Sequence, residues 1–529
     1  MKNILHRIRM QCSRVNTAVC AAQGQNGGTL IMLFRPKEKE MWDTTLYEEN
    51  GTYHLFYLSQ GNIGHATTRD FVTFEEHEDI CGFGGEGRWN QTGVPLTGCL
   101  QKVGGSYKML LGSIEPKEHK QVYGLYESCD LYNWTEYENN PVLMSDGIIY
   151  AKTVSPRDGN MFTAWRDPLV YEEKDGWYYI CMCARTPRFD HSTTGALVAN
   201  LRTRDFKSFE YLPPLDNVGD KVKYAECPDC FTLDGHRYIT FLDHSWGGTR
   251  VHTSTRSDTA GTYYKVYNEN TRRFEWLPDC LLIGASGDRQ CSWAARSTMA
   301  EGKRLLYHHI TAKRVGFAFP KEVKADSDGS LSLMYFDKMD NLLGESARLT
   351  NIGVENDLGV WSKKDNLYEG LCLGWGSALT VCENETDICV SVTTSMEKGA
   401  RAGVALRVNE KDPEYENGIC VYFDYEKQQV CMEELGYRKF EGYGHFHFDV
   451  VNGGTVRNLD FKHMKLEYGK SYELKIFARN EFYEVYVNNV WVMTKAYEEV
   501  KTSGKVQLFT ERAKADFIVS VNRLLGTLN

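Results

Sequence analysis

Long apolar runs are missing from this 529-residue sequence. No stretch of about 18 such residues occurs, so no transmembrane helix and no membrane partner are expected. A basic excess is missing too. Lys and Arg number 61 against 71 Asp and Glu, a formal net charge of −10. Nucleic-acid binders carry a basic field, so a nucleic-acid partner is not expected, and a neutral substrate fits better than a polyanion. Proline is scarce at 13, while glycine reaches 47 and tyrosine 31. That balance excludes collagen and disorder and favours short strands with tight turns. The 16 cysteines are too thinly spread for a disulfide scaffold. Residues 11–28 hold no apolar core of the kind a secretory leader needs, so the expectation is a cytoplasmic protein with reduced thiols. There is no Gly-x-Ser-x-Gly elbow, no Walker loop and no dinucleotide fingerprint, and no segment of convincing length shows the helical period.

What is present is a repeat. Thr68-Arg-Asp-Phe-Val-Thr-Phe74, Ser128-Cys-Asp-Leu-Tyr-Asn-Trp134 and Thr203-Arg-Asp-Phe-Lys-Ser-Phe209 share one pattern, and Arg256-Ser-Asp258 reads as a degraded fourth copy. Five alternating strand-like runs begin at Tyr53, Tyr107, Trp177, His236 and Arg304. Five similar β units at such spacing predict a five-bladed β-propeller, in which each sheet covers its neighbour and few edges remain. Near residue 340 the pattern lengthens into runs such as Ala402–Val408, Tyr472–Phe477 and Tyr483–Val487, with Asn488-Asn489 as a hairpin turn. The predicted architecture is all-β: an N-terminal extension (1–30), a five-bladed propeller carrying the catalysis (31–340) and a C-terminal β-sandwich (341–529). Sugar binding and homo-oligomer formation both stay open for the sandwich.

An acidic residue precedes three of the runs by ten positions: Asp43 before Tyr53, Asp167 before Trp177 and Glu226 before His236. Equal offset in a repeat implies equivalent places, here on the innermost strand of each blade. The other two blades carry Thr97 and Ala294 at that offset, without charge. Three carboxylates then converge on one end of the channel. Crowded like charges cannot all ionise cheaply, so one acid stays protonated beside an ionised partner. That pair suits glycoside cleavage: the acid protonates the leaving oxygen, and the carboxylate attacks the anomeric carbon or activates water.

Around these acids, Trp42, Trp89 and Trp246 can platform a sugar ring, Gln60 and Asn90 can hydrogen-bond its hydroxyls, and His244 can line the channel. Cys227-Pro-Asp-Cys230 lacks a thioredoxin-like context and a second pair at zinc spacing, so it reads as free thiols. His308-His309 has no third ligand nearby. No metal and no cofactor are assigned.

Trp165-Arg-Asp-Pro168 and Glu226-Cys-Pro-Asp229 resemble the Arg-Asp-Pro and Glu-Cys motifs of glycoside hydrolase family 32, the β-fructosidases. His54-Leu-Phe-Tyr57, Gly64-His-Ala-Thr-Thr-Arg-Asp70 and Ala294-Ala-Arg296 are similar to that family as well. The resemblance implies a retaining enzyme that removes terminal β-D-fructofuranosyl units from sucrose or fructo-oligosaccharides through a fructosyl-enzyme intermediate. By that likeness Asp43 is the nucleophile, Glu226 the general acid and then base, and Asp167 the group that holds sugar hydroxyls and stabilises the transition state. Arg166 fixes carboxylate geometry through its rigid fork. Met41-Trp-Asp-Thr44 departs from the family's usual word and is closer to the related levansucrases. Fructosyl transfer, another furanosidase activity of the clan and a non-catalytic sugar-binding propeller therefore stand as alternatives.

Overall fold

The computed structural model describes residues 34–153, 164–187, 195–219, 221–243, 255–285, 292–311, 315–350, 359–374, 376–412, 415–440, 443–444, 459–497 and 501–525. Four antiparallel four-stranded sheets form the blades of a β-propeller. The first holds β1 (Thr44–Glu49), β2 (Thr52–Ser59), β3 (Asn62–Thr68) and β4 (Phe74–Cys81). The second holds β5 (Leu96–Val103), β6 (Ser106–Ile114), β7 (Gln121–Ser128) and β8 (Thr135–Glu136). The third holds β9 (Arg166–Lys174), β10 (Trp177–Arg185), β11 (Ala196–Thr203) and β12 (Glu210–Asn217). The fourth holds β13 (Glu226–Leu233), β14 (His236–Asp243), β15 (Ala260–Asn268) and β16 (Arg273–Ala285). After them β17 (Trp293–Ala300) pairs with β18 (Lys303–Ile310), and Lys321–Ala325 and Leu331–Met334 continue the antiparallel order. The first strands touch in a closed cycle, β1 to β5 to β9 to β13 to β17 and back to β1.

Local sequence explains the hairpins. In each of the five, first and second strands are joined by two left-handed residues: Asn50-Gly51, Gly104-Gly105, Asp175-Gly176, Asp234-Gly235 and Glu301-Gly302. A two-residue turn of that hand matches strand twist, and glycine adopts it without a Cβ clash. All five strand-like runs read from the sequence begin on the second strands, where alternation is cleanest.

The repeated Asp segments close the third strands. Asp70 Oδ1 accepts from the N–H of Val72 and Thr73, Asp130 Oδ1 from Tyr132 and Asn133, and Asp205 Oδ1 from Lys207 and Ser208. The hydroxyls of Thr68, Ser128 and Thr203 accept from the next left-handed residue, Phe71, Leu131 or Phe206. These side-chain bonds mimic a backbone turn. Arg256-Ser-Asp258 is not a fourth copy. It precedes β15 rather than following it, and Asp258 is buried against Lys495 of the C-terminal region.

Hydrogen bonding does not break at residue 340. Met334 pairs with Val490, and the run from β17 onward is continuous with the C-terminal strands in one sheet. Ile388–Asp412 pairs along most of its length with Gly504–Leu524. One buried cluster includes Leu305 and Phe336 together with Phe477, Tyr486 and Trp491, so the two regions share apolar core. Asn488-Asn489 forms the expected left-handed turn. Among the described residues no helix is long and apolar enough to cross a membrane.

Candidate active site

Hairpin register decides which first-strand residues are equivalent. Opposite each lies a second-strand residue seven positions past the turn glycine. Leu58 donates its N–H to the Asp43 carbonyl at 3.1 Å; Gly112 faces Leu96, Cys183 faces Arg166, Leu242 faces Glu226 and His309 faces Trp293. Asp43 and Glu226 therefore occupy one structural level. Asp167 does not, which corrects the equal-offset reading. Arg166 holds that level in its blade, and Asp167 is the residue after it. The offset agreed because the first aromatic of the run stands directly after the turn glycine in the third blade but one position later in the first.

A bulge makes this displacement useful. Cross-strand pairing slips just after the start of β5, β9, β13 and β17, and Asp167 (φ 60°), Cys227 (φ 45°) and Ala294 (φ 50°) are left-handed there. Bulges re-aim side chains at the rim of a sheet, and left-handed non-glycine residues gather at functional sites. The extra residue lets one blade present both a guanidinium and a carboxylate.

The groups meet. The Thr97 hydroxyl donates to Asp43 Oδ2 at 2.6 Å. His309 Nδ1 lies 3.6 Å from Asp43 Oδ1. The Cys227 N–H donates to Asp167 Oδ2 at 2.9 Å, and its Sγ is 3.9 Å from Asp43 Oδ2. Arg166 Nη2 pairs with Glu226 Oε1, while its Nε is 3.7 Å from Asp167 Oδ2. Arg166 also lies over the Tyr224 ring, 5.2 Å from its centroid. Asp167 is 3% exposed. Burial pushes its carboxyl above the ordinary range, Arg166 and Arg296 draw it back, and Asp43 and Glu226 push it up again. Asp43 and Glu226 keep more access to solvent, with side chains 28% and 16% exposed.

Donor atoms of Asp43, Asp167 and Cys227 lie within 4.8 Å of one another. Burial, then the neighbouring carboxylates, hold the Cys227 thiol far above its usual range, so it stays protonated. The trio is two carboxylates and a buried S–H.

The other sequence candidates divide. Trp42 is partly exposed beside Asp43 and meets the His309 ring edge to face at 6.1 Å. Gln60 is exposed in the left-handed β2–β3 turn, two residues past the partner of Asp43. Trp89 is a correction. Its ring is 7% exposed, sits where a Cβ on Gly124 would be, and donates Nε1–H to Glu136 at 2.9 Å. No face is left for a sugar. Asn90 is likewise buried, with Nδ2 3.4 Å from the Tyr126 hydroxyl. His244 and Trp246 lie outside the described residues. Sequence reasoning passed over Thr97 because it carries no charge, and His309 because it sought a metal set. The signal for both was their place in the hairpin: His309 faces Trp293 at the level of Asp43 and Glu226, and Thr97 stands one residue past that level, as Asp167 does.

A family model described as the glycosyl hydrolases family 32 N-terminal domain matches residues 34–305. A bifunctional 6(G)-fructosyltransferase/2,1-fructan:2,1-fructan 1-fructosyltransferase of Allium cepa is 29% identical over 305 residues, 52% of this chain. The match spans 46% of that curated relative, about half its length. Among solved structures, sucrose-6-phosphate hydrolase from Lactobacillus gasseri is similar with a TM-score of 0.66 at 13% identity, covering 94% of this chain and 93% of that one. Fructan 1-exohydrolase IIa from Cichorium intybus gives 0.64 at 14% identity, covering 94% and 97%. At such identities these structures establish the fold alone.

Proposed function

The chain belongs to glycosyl hydrolase family 32, and from that premise we propose a retaining glycosidase that removes terminal β-D-fructofuranosyl units from sucrose or short fructo-oligosaccharides. The observation that carries this reading is the shared level of Asp43 and Glu226, with Arg166 and Asp167 between their blades. In the first step an Asp43 oxygen attacks the anomeric carbon while Glu226 gives its proton to the departing oxygen. In the second, Glu226 takes a proton from water, which displaces Asp43 and restores both groups. Asp167, buried and held by the Cys227 N–H, faces the charge that develops on the sugar ring. Trp42 and Gln60 flank the entrance as contacts for the leaving sugar.

Finer architecture follows the same reading. The β17–β18 hairpin with Lys321–Ala325 and Leu331–Met334 is the fifth blade, and the strands after residue 340 form a β-sandwich packed on it.

Fructosyl transfer is the second reading. It is favoured by Met41-Trp-Asp-Thr44 and by the fructosyltransferase name of the Allium cepa relative. Transfer differs only in which hydroxyl displaces Asp43.

Asp43→Ala and Glu226→Ala are expected to abolish turnover of sucrose and 1-kestose with folding intact. NMR of the first product is expected to show retained configuration. Full activity in either variant, or an inverted product, would overturn the assignment. Tight sugar binding without consumption by the native protein would leave a binding propeller instead.

A further inference from the structure

Arg296 is fully buried on β17, one layer deeper than the carboxylates. It stands opposite Tyr307, two residues inside the His309 level. Its Nη1 donates to the Gly98 carbonyl at 3.1 Å. Gly98 belongs to β5, and β1 separates β5 from β17 in the cycle of first strands. The guanidinium therefore passes β1 on the inner side, just below Asp43, and ends beside the residue that follows Thr97. Nε and Nη2 are buried with no hydrogen-bond partner among the described residues.

A buried guanidinium with two idle nitrogens is expensive to keep. A neutral side chain of similar shape would hold the Gly98 carbonyl at lower cost. The groups that face Arg296 show what the charge does. From β13 and β10 come the Cys227 and Cys181 thiols, from β5 Cys99, from β18 the Tyr307 phenol and from β7 that of Tyr123. Burial pushes all of these up, so they remain neutral. Of the ionisable groups left, Asp167 is the carboxylate that Arg296 draws toward its charged form; Asp229, buried on β13, is taken up by the Ser297 N–H at 2.9 Å, and the Arg166 guanidinium is already bound to Glu226.

We propose that Arg296 is a positioning residue: laid across the propeller axis beneath the site, it is the fixed counter-charge that keeps the buried Asp167 ionised beside the other two carboxylates. It touches no reacting atom. The inference rests on the reading that Asp43 and Glu226 do the chemistry.

The test is the pH profile of kcat/KM for sucrose, measured on the native enzyme, Arg296→Gln and Arg296→Lys. Loss of the cation favours the protonated form of Asp167, so the acid limb of the bell moves to higher pH in Arg296→Gln. A move of about one unit makes the variant lose ~10-fold more at the acid end than at neutral pH. Arg296→Lys keeps the charge, and its limbs stay at the native positions even if its rate falls. A folded Arg296→Gln whose bell is lower but unmoved overturns the proposal and leaves a packing role. If Arg296→Gln does not fold, Arg296→Lys decides: native limbs support the proposal, displaced limbs overturn it. Because Asp43→Ala and Glu226→Ala are assayed separately, an unmoved bell beside two dead carboxylate variants sinks this inference alone.

Discussion

Thr97 Oγ1 donates to Asp43 Oδ2 at 2.6 Å, joining the first strands of two adjacent blades. The bond occupies one carboxylate oxygen and leaves the other toward His309. In the nucleophile's role proposed for Asp43, a carboxylate so held loses little rotational freedom at the moment of attack.

Thr97→Val removes the hydroxyl and keeps the shape. A hydrogen bond to a charged group contributes about 1.5–3 kcal/mol, so kcat is expected to fall roughly 10- to 100-fold while KM for sucrose changes little. Thr97→Ser is expected to recover most of the rate. Steady-state kinetics on the three proteins check this, and a change confined to KM would mean that Thr97 binds substrate instead.

Asp167→Asn should separate stability from activity. Burial raises the Asp167 carboxyl above its ordinary value in the folded chain. The folded state then holds that proton more tightly than the unfolded one. The acid's contribution is favourable below its unfolded value and is lost as pH rises through the folded one. At pH 7 the buried carboxylate is therefore a cost. The amide is expected to raise Tm while turnover falls by about 10²-fold or more. Calorimetry beside an activity assay measures both, and a lowered Tm would contradict the sign.

Three imidazoles pack together in the first blade, His54 stacked on His65 and His77 tilted against it. His54 Nδ1 and His65 Nε2 are 3.0 Å apart, and the Thr67 hydroxyl meets His77 Nε2 at 2.8 Å. Burial pushes His54 down to about 4 and His65 to about 2. The unfolded chain takes up protons near pH 6.5 that the folded chain refuses. Stability is full above that value and falls as pH drops from it toward the folded values, by up to about 1.4 kcal/mol per pH unit for each ring. His65→Phe keeps the stack on Phe56, 4.5 Å away between centroids. Its Tm is expected to decline less steeply between pH 7 and pH 5 than that of the native protein, as a melting series would show.

Trp89→Ala tests a packing role. Emptying a buried tryptophan site costs about 3–5 kcal/mol, and the Glu136 carboxylate loses a donor. Tm should fall sharply, while the fraction that folds keeps the native KM. A raised KM at native stability would restore Trp89 as a sugar contact.

How far the sequence reaches shows in two neighbours. Asp43 and Asp167 were both legible as first-strand acids, because a hairpin turn and an alternating run mark the strand locally. Their difference in level was not. It arises from a bulge that pairs Arg166 with Cys183 and leaves Asp167 unpaired, and only the second strand measures that slip. Likewise the indole of Trp89 looked available beside Asn90 until Gly124, 35 positions on, proved to leave room for its ring.

The sequence by itself determined the strands, the five glycine-closed hairpins, the Asp-closed turns and the place of the three acids at the first strands. These depend on backbone preferences and side-chain bonds that span a few residues. Tertiary structure alone decided which groups face one another: Thr97 on Asp43, Arg166 on Glu226, Cys227 on Asp167 and Arg296 across the axis. Those contacts depend on how sheets far apart in the chain close into a ring, and closure is set by summed packing over many residues rather than by any one motif.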